Sequence, residues 1–448
     1  MTASVVAEGP SPVDALLAQW GLTAGERRLV VDPGDEMLGF LHDLHEGDAE
    51  QALCDYYRSG ASIAATLRQV LRWRFGDLGA LARPDAVLDF ASGYGRVTRF
   101  LLDELPASAV TVADIQPAAV DFQRRTFGVQ GAASTAQPGE LVLHGPYGAI
   151  LVTSLFTHLP AERFGAWLAA LLARVAPGGL LAFSTHDLAL LPAEQRPAAG
   201  ICYQPHSEIA ELPAADYGST WVDEPFVRAA LAATGQACSA LRFERVLCNY
   251  QDLWVVVPEA AATFHGLDLR GEPEVMVEQC RARGGVLALA GWAHARHGGV
   301  SRVEALLDGT LLGVAPVSGR HDGLTASRGA AGANAAWQIA GELPAGARVL
   351  GTTLLLRAVD PQGVAWPVWV GRLGSLLVQT ASLRERELRR DIHHLRCEVE
   401  RLDDALAWAG HEKTALRARI AGMEASRFWK LRRAWFTLKR ALGLTDER

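Results

Sequence analysis

Two carboxylates close two short apolar runs, and a glycine turn lies between them. Ala86-Val87-Leu88 reads as a buried strand ending in Asp89, followed by Gly93-Tyr94-Gly95 and then Val97, Phe100, Leu101 and Leu102 at helical spacing. Strand, glycine turn and helix is how an open α/β sheet presents a nucleotide site. The glycines admit close backbone approach, and the ligand sits beyond the carboxyl end of the strand. A second strand, Ala109 to Ala113, ends in Asp114, 19 residues after Gly95. A carboxylate there can accept both hydroxyls of a ribose; an exposed turn acid is the plainer alternative. The third glycine of a pyrophosphate-gripping G-x-G-x-x-G is replaced by Thr98, so the pattern is D-x-x-x-G-x-G.

Proton-transfer candidates gather at two further strand ends. Gly148 to Thr153 reads as a fourth strand, with Ser154, Leu155, Phe156, Thr157 and His158 after it. Pro177 to His186 reads as a fifth, followed by Asp187. His158 is the first candidate for a general base, and His186 and Asp187 come next, because all three fall where such sheets bind ligands. Helix capping or packing is the alternative for His158. A 37-residue segment, Asp187 to Asp223, shows little regular pattern, which suggests a functional lid. Tyr203, His206, Tyr217 and Trp221 lie in it.

The elements around these residues fit one family. The stretch from Asp89 to Arg96 resembles motif I of the class I S-adenosylmethionine-dependent methyltransferases, and Asp114 falls where their motif II acid stands. The Ser154 region resembles motif IV, and PGGLLAFSTH resembles the usual entry to strand five. Leu241 to Cys248 and Asp252 to Val257 read as a closing antiparallel hairpin; a dinucleotide dehydrogenase would more often continue with parallel units. The resemblance implies a Rossmann-like α/β domain over residues 85–258 that binds S-adenosyl-L-methionine. Its cofactor residues would be Asp89, Ala91, Gly93, Gly95, Arg96, Asp114, Ile115 and Ser154, with Asp89 toward the amino group and Ile115 against the adenine. Gln137 could bind the adenine amine, though backbone groups could do the same. Tyr57, Tyr203, His206, Tyr217 and Trp221 would meet the acceptor.

Residues 1–84 read as helical: one segment with Leu16, Leu17 and Trp20, one with Met37 to Leu44, and one from Ile63 to Trp73. Between the last two lies CDYYRSGAS, whose Tyr56, Tyr57 and Arg58 could touch a ligand or pack on the sheet. Residues 266–378 carry many short strands, with Asp308-Gly309 as a hairpin turn, and read as a β-sandwich loosely similar to immunoglobulin-like domains of bacterial surface-glycan enzymes. His294, His297 and His321 there lack metal-ligand spacing, and no metal is expected. Residues 383–425 carry a heptad array from Leu388 to Met423, interrupted by Lys413, which predicts a coiled coil and a homo-oligomer; a long helix packed on its own chain is the alternative. Residues 426–448 follow; Ser426 to Leu444 holds six basic residues, no acid, and Phe428, Trp429, Trp435 and Phe436. Such a helix reads as a peripheral membrane contact or as an aromatic contact to a partner protein.

The 448-residue chain is 49% hydrophobic and 21% charged, which predicts a soluble globular protein of two or three domains. Its net charge of −7 argues against bulk nucleic-acid binding. Six scattered cysteines form no CxxC pair, and the amino terminus lacks a signal-peptide pattern, so a cytoplasmic location is expected, with contact at the inner membrane face through the tail. The appended regions favour a sugar of a bacterial surface polysaccharide, or its lipid-linked precursor, as acceptor. A small-molecule O- or N-methyltransferase and a non-catalytic scaffold of glycan assembly are the alternatives.

Overall fold

A computed structural model describes residues 9–206, 213–328, 333–344 and 349–443. Residues 1–8, the middle of the 187–223 segment and the tail beyond residue 443 lie outside them. The chain divides into two compact units, residues 1–380 and 381–448.

The first unit opens with three helices, α1 (Pro12–Ala18), α2 (Glu36–Leu44) and α3 (Ala49–Phe75). Asp48 caps α3 by accepting from the Gln51 N–H at 3.0 Å, and Gly76 (φ +70°) ends it. The stretch CDYYRSGAS, placed by the sequence between two helical segments, is itself helical, because α3 runs through it for 27 residues. Gly60 sits mid-helix, where a Cβ would stand 2.3 Å from the Arg96 carbonyl oxygen. A helix-weakening glycine is kept there because α3 crosses the glycine turn almost backbone to backbone.

The central sheet is built from β1 (Val87–Phe90), β2 (Val110–Asp114), β3 (Gln130–Ala133), β4 (Tyr147–Val152), β5 (Val175–Asp187), β6 (Ile201–Gln204), β7 (Ser219–Val222), β8 (Ser239–Leu247) and β9 (Gln251–Val257). The helices between them are α4 (Thr98–Leu101), α5 (Pro117–Phe127), α6 (Ala161–Leu172) and α7 (Glu224–Ala233). The parallel order is β3-β2-β1-β4-β5, then β9 antiparallel on β5 and β8 on β9. The inner strands are buried on both faces and mostly apolar, with polar side chains such as Asp89, Asp114 and His186 toward their carboxyl ends. Val87, Ala149 and Leu151 point into a core shared with α3 and α5, while Leu88, Ile150 and Val152 point into one shared with α6 and α7. Proline at the start of α5 and Gly128 (φ +76°) after it bound that helix.

The segment expected to be a functional lid of little regular structure contains β6 and β7, which pair antiparallel. Its β7 pairs with the end of β5, His186 opposite Trp221. It also bonds back to the chain after β4: Gly218 N–H donates to the His158 carbonyl at 2.9 Å and Thr220 N–H to that of Thr157 at 2.7 Å.

Seven antiparallel strands follow: β10 (Glu274–Arg283), β11 (Val286–His294), β12 (Arg302–Leu307), β13 (Thr310–Pro316), β14 (Ala336–Glu342), β15 (Thr353–Val359) and β16 (Ala365–Arg372), with α8 (Asp322–Arg328) after β13. They form a three-stranded sheet, β10-β11-β14, and a four-stranded sheet, β13-β12-β15-β16, around one core that includes Leu287, Leu289, Val303, Leu354 and Leu356. Asp308 (φ +45°) and Gly309 (φ +82°) make the two-residue turn with both central residues left-handed that the sequence pattern demands. This part is fastened to the amino-terminal helices. Arg357 donates to Gln19 of the α1 carboxyl end at 2.9 Å, and Arg58 of α3 pairs with the buried Glu272.

α9 (Leu373–Ala425) begins in the first unit and runs through the second, where Ser426 caps α10 (Arg427–Ala441). The apolar residues of its heptad array are exposed. Among the described residues, no helix is long and apolar enough to cross a membrane.

Candidate active site

The glycine turn is wired to both aspartates. Asp89 lies within β1 as its third residue and is 1% exposed. Thr98, at the third-glycine position, donates its hydroxyl to Asp89 Oδ2 at 2.6 Å, and Oδ1 is buried without a partner. Burial, against the Thr98 bond and aided by Asp114, pushes the Asp89 carboxyl up to about 7. Asp114 Oδ2 accepts from the Gly93 N–H at 2.8 Å and Oδ1 from the Gln116 N–H at 2.9 Å. Burial raises its pKa against these bonds. Two occupied positions leave a carboxylate about two further lone pairs, enough for a ribose diol.

The turn itself is held in left-handed backbone at Ala91 (φ +55°), Gly93 (φ +52°) and Gly95 (φ +80°). Gln123 of α5 fixes it from below, donating to the Gly93 carbonyl at 2.7 Å and to Ser92 Oγ at 2.8 Å. A Cβ at Gly93 would meet nothing within 4 Å, whereas one at Gly95 would strike Phe127 and Gln123. Gly93 therefore faces the ligand side and Gly95 the core. Ile115 is half-buried beyond Asp114. Arg96 donates to Ser59 Oγ of α3 at 2.8 Å, which ties the turn to the amino-terminal helices.

A second cluster stands at the ends of β4 and β5. Ser154 (φ +67°) leaves β4 in strained backbone, its N–H held by Ser184 Oγ at 2.8 Å and its hydroxyl by the Gln251 amide at 3.0 Å. His158 Nδ1 lies 2.8 Å from the Gly218 carbonyl, and its ring stacks on Tyr217 with centroids 4.6 Å apart. A carbonyl only accepts, so Nδ1 carries the proton and Nε2 is the basic nitrogen of the neutral ring. His186 packs edge-on against Tyr250 at 4.8 Å and near Trp221 at 5.9 Å, with Nδ1 buried and unpartnered. Burial, then the neighbouring His158, lowers its pKa to about 4, although a bond to the Thr220 backbone opposes this.

Several expected roles move. Tyr57 is buried in the helical core, its hydroxyl donating to the Leu29 carbonyl and its ring edge-on to Phe100, so it cannot line an acceptor site. Asp187 is bound to Arg242 at 2.8 Å, which also holds Asp252 at 2.7 Å, and is thereby removed as a base. Tyr203 donates to the Ala214 carbonyl at 2.6 Å and braces the β6–β7 pair. His206 is exposed beyond β6. Gln137 is bonded to Arg163. Tyr250 and Gln251, which the sequence reading missed, reach the site because β9 starts antiparallel beside the end of β5. The closing hairpin pattern was the signal for them. Among the described residues, no group of three or more metal-binding side chains occurs.

Residues 88–181 match the model of a family described as a methyltransferase domain. A search of curated proteins finds no match. Similar solved structures include S-adenosylmethionine-bound CalS10, an amino pentose methyltransferase from Micromonospora echinaspora involved in calicheamicin biosynthesis. It shows 20% identity over 44% of this chain and 91% of that one, with a TM-score of 0.32. The DhpI–SAH complex is similar at 18% identity over 51% and 99%, TM-score 0.32. The glycopeptide N-methyltransferase MtfA complexed with sinefungin is similar at 17% identity over 44% and 93%, TM-score 0.32.

The chain is thus an enzyme carrying a methyltransferase domain, and the cofactor of such a domain is S-adenosylmethionine. The residues present fit that cofactor: an unpartnered buried carboxylate oxygen for its ammonium, a glycine open on the ligand side, and a second carboxylate with lone pairs for its ribose.

Proposed function

We propose that this enzyme methylates a hydroxyl of a sugar acceptor bound against β6–β7, with His158 as general base. The observation that carries the reading is the fixed tautomer of His158, whose Nδ1 is held by Gly218 while its ring is clamped on Tyr217. The bound cofactor supplies a methyl group activated by its sulfonium, so the protein's work is to position the reactants and manage one proton. Asp89 and Asp114 orient the two ends of the cofactor, with Ala91, Gly93 and Ile115 beside them. Ser154, held by Ser184 and Gln251, marks the boundary between cofactor and acceptor. His158 Nε2 takes the proton of the acceptor hydroxyl as its oxygen attacks. His186, kept neutral at pH 7, accepts a hydrogen bond from the acceptor; its low basicity suits it less to proton removal. Tyr217, Trp221 and Tyr250 wall the acceptor.

The acceptor in this reading is a sugar of a surface polysaccharide or of its lipid-linked precursor, handled in the cytoplasm. The support is analogy: the two-sheet region resembles immunoglobulin-like modules appended to glycan enzymes, and the heptad array would pair with a second copy as a coiled coil. The test is transfer of labelled methyl to glycan precursor fractions by the parent and by His158→Gln. The variant should lose roughly 10²–10⁴-fold in kcat while keeping its affinity for S-adenosylhomocysteine. Unchanged kcat would remove His158 as the base.

A further inference from the structure

The second unit ends in a helix whose chemistry is unlike that of any element in the methyltransferase core. On α10 and at its carboxyl cap, Phe428, Leu431, Trp435, Leu438 and Leu442 recur at steps of three and four, so they form one stripe, and each is 52–76% exposed. The helix carries Arg427, Lys430, Arg432, Arg433, Lys439 and Arg440 and no acid, in a chain of net charge −7. Two of these cations lie over aromatic rings. The Arg432 guanidinium is 4.8 Å from the Trp429 ring centre and 5.3 Å from that of Phe436, and Lys439 Nζ is 5.8 Å from that of Trp435.

We propose that α10 lies in the surface of an anionic lipid bilayer, apolar stripe down. Three features select that occupant. At 15 residues the helix is about 22 Å long and is too short and too charged to span, so it lies in the plane. Its charge complements lipid phosphate and has no acidic element for a basic partner. A protein groove deep enough to cover the stripe would bury Lys439, which lies over Trp435, with it, whereas at a bilayer its stem lies along the aromatic ring while its head reaches the phosphates. A nucleic acid would use the cations and leave five bulky apolar side chains in water. This assignment is independent of the methyl-transfer reading.

The test is co-sedimentation of the full chain with vesicles of phosphatidylcholine alone and of phosphatidylcholine mixed with phosphatidylglycerol. The parent should pellet with the anionic vesicles, less as salt rises, and not with the neutral ones. Arg432→Gln/Lys439→Gln should weaken binding about 25-fold, at about fivefold per charge removed. Trp435→Gln/Leu438→Gln should weaken it roughly a hundredfold. Circular dichroism and S-adenosylhomocysteine affinity should match the parent's in both variants, which separates lost membrane contact from lost fold. Failure of the parent to pellet with anionic vesicles at low salt would overturn the proposal and leave α10 to a protein partner. Equal pelleting of the parent and the Trp435/Leu438 variant would also overturn it.

Discussion

The two glycines of the turn should fail in different ways when a single methyl group is added. In Gly95→Ala the new Cβ would stand 2.4 Å from Phe127 Cε2 and 2.6 Å from Gln123 Oε1, in backbone at φ +80°. Gln123 cannot withdraw freely, because it is buried and its amide holds Ser92 and Gly93. Phe127 is buried against Phe122. Left-handed backbone costs an alanine about 1–2 kcal/mol, and overpacking a filled core adds about 1–3 kcal/mol. The loss should therefore be about 2–5 kcal/mol, a large part of the ~5–15 kcal/mol that holds an ordinary domain folded. Gly93→Ala, at φ +52° with no neighbour within 4 Å, bears only the backbone cost of about 1–2 kcal/mol. Urea unfolding followed by circular dichroism, without cofactor, compares the two in one assay. Gly95→Ala should unfold at clearly lower urea than Gly93→Ala, with similar slopes. Equal midpoints would refute the packing of the turn on α5.

Asp89 and α9 yield two further expectations. The Asp89 carboxyl ordinarily titrates near 3.8 and is raised to about 7 in the fold, so the folded protein binds more protons between those values. Its contribution is fully favourable below about 4 and is lost as pH rises toward 7, a cost of about 4 kcal/mol that Asp89→Asn should abolish. The unliganded variant should thus match the parent at pH 4, outlast it at pH 8, and bind S-adenosylhomocysteine weakly; an unchanged pH slope in urea unfolding would contradict this. Along α9, Leu395 and Leu402 are 60% and 57% exposed on the heptad stripe, and Leu395→Asp/Leu402→Asp should convert an oligomer to a monomer in sedimentation velocity. A monomeric parent would refute the pairing.

The glycine-turn half of the candidate site was legible because its signals are local: strand, left-handed glycines, and an acid at a fixed offset. Asp89, Gly93, Gly95 and Asp114 needed only chain order to be brought together. The half at the ends of β4 and β5 was less legible because distant segments build it. The β6 and β7 strands have four residues each, too few for a periodic signal, and their place is set by bonds to Thr157, His158 and Leu159. Asp187 looked like a candidate base until Arg242, more than fifty residues on, took its carboxylate. Tyr57, which by its place in the amino-terminal helices could touch a ligand or pack, packs, with its hydroxyl on the Leu29 carbonyl nearly thirty residues away in sequence. In the two-sheet region, β10 escaped notice because its apolar positions alternate with charged ones on a largely exposed strand.

The central claim is a cofactor site between Asp89, Gly93 and Asp114, and calorimetric titration of the full chain with S-adenosylhomocysteine tests it most directly. The parent should bind one equivalent. Gly93→Arg, whose side chain would project from the open side of the turn, should bind none while its circular dichroism spectrum stays unchanged. No heat from the folded parent, or equal binding by parent and variant, would contradict the account.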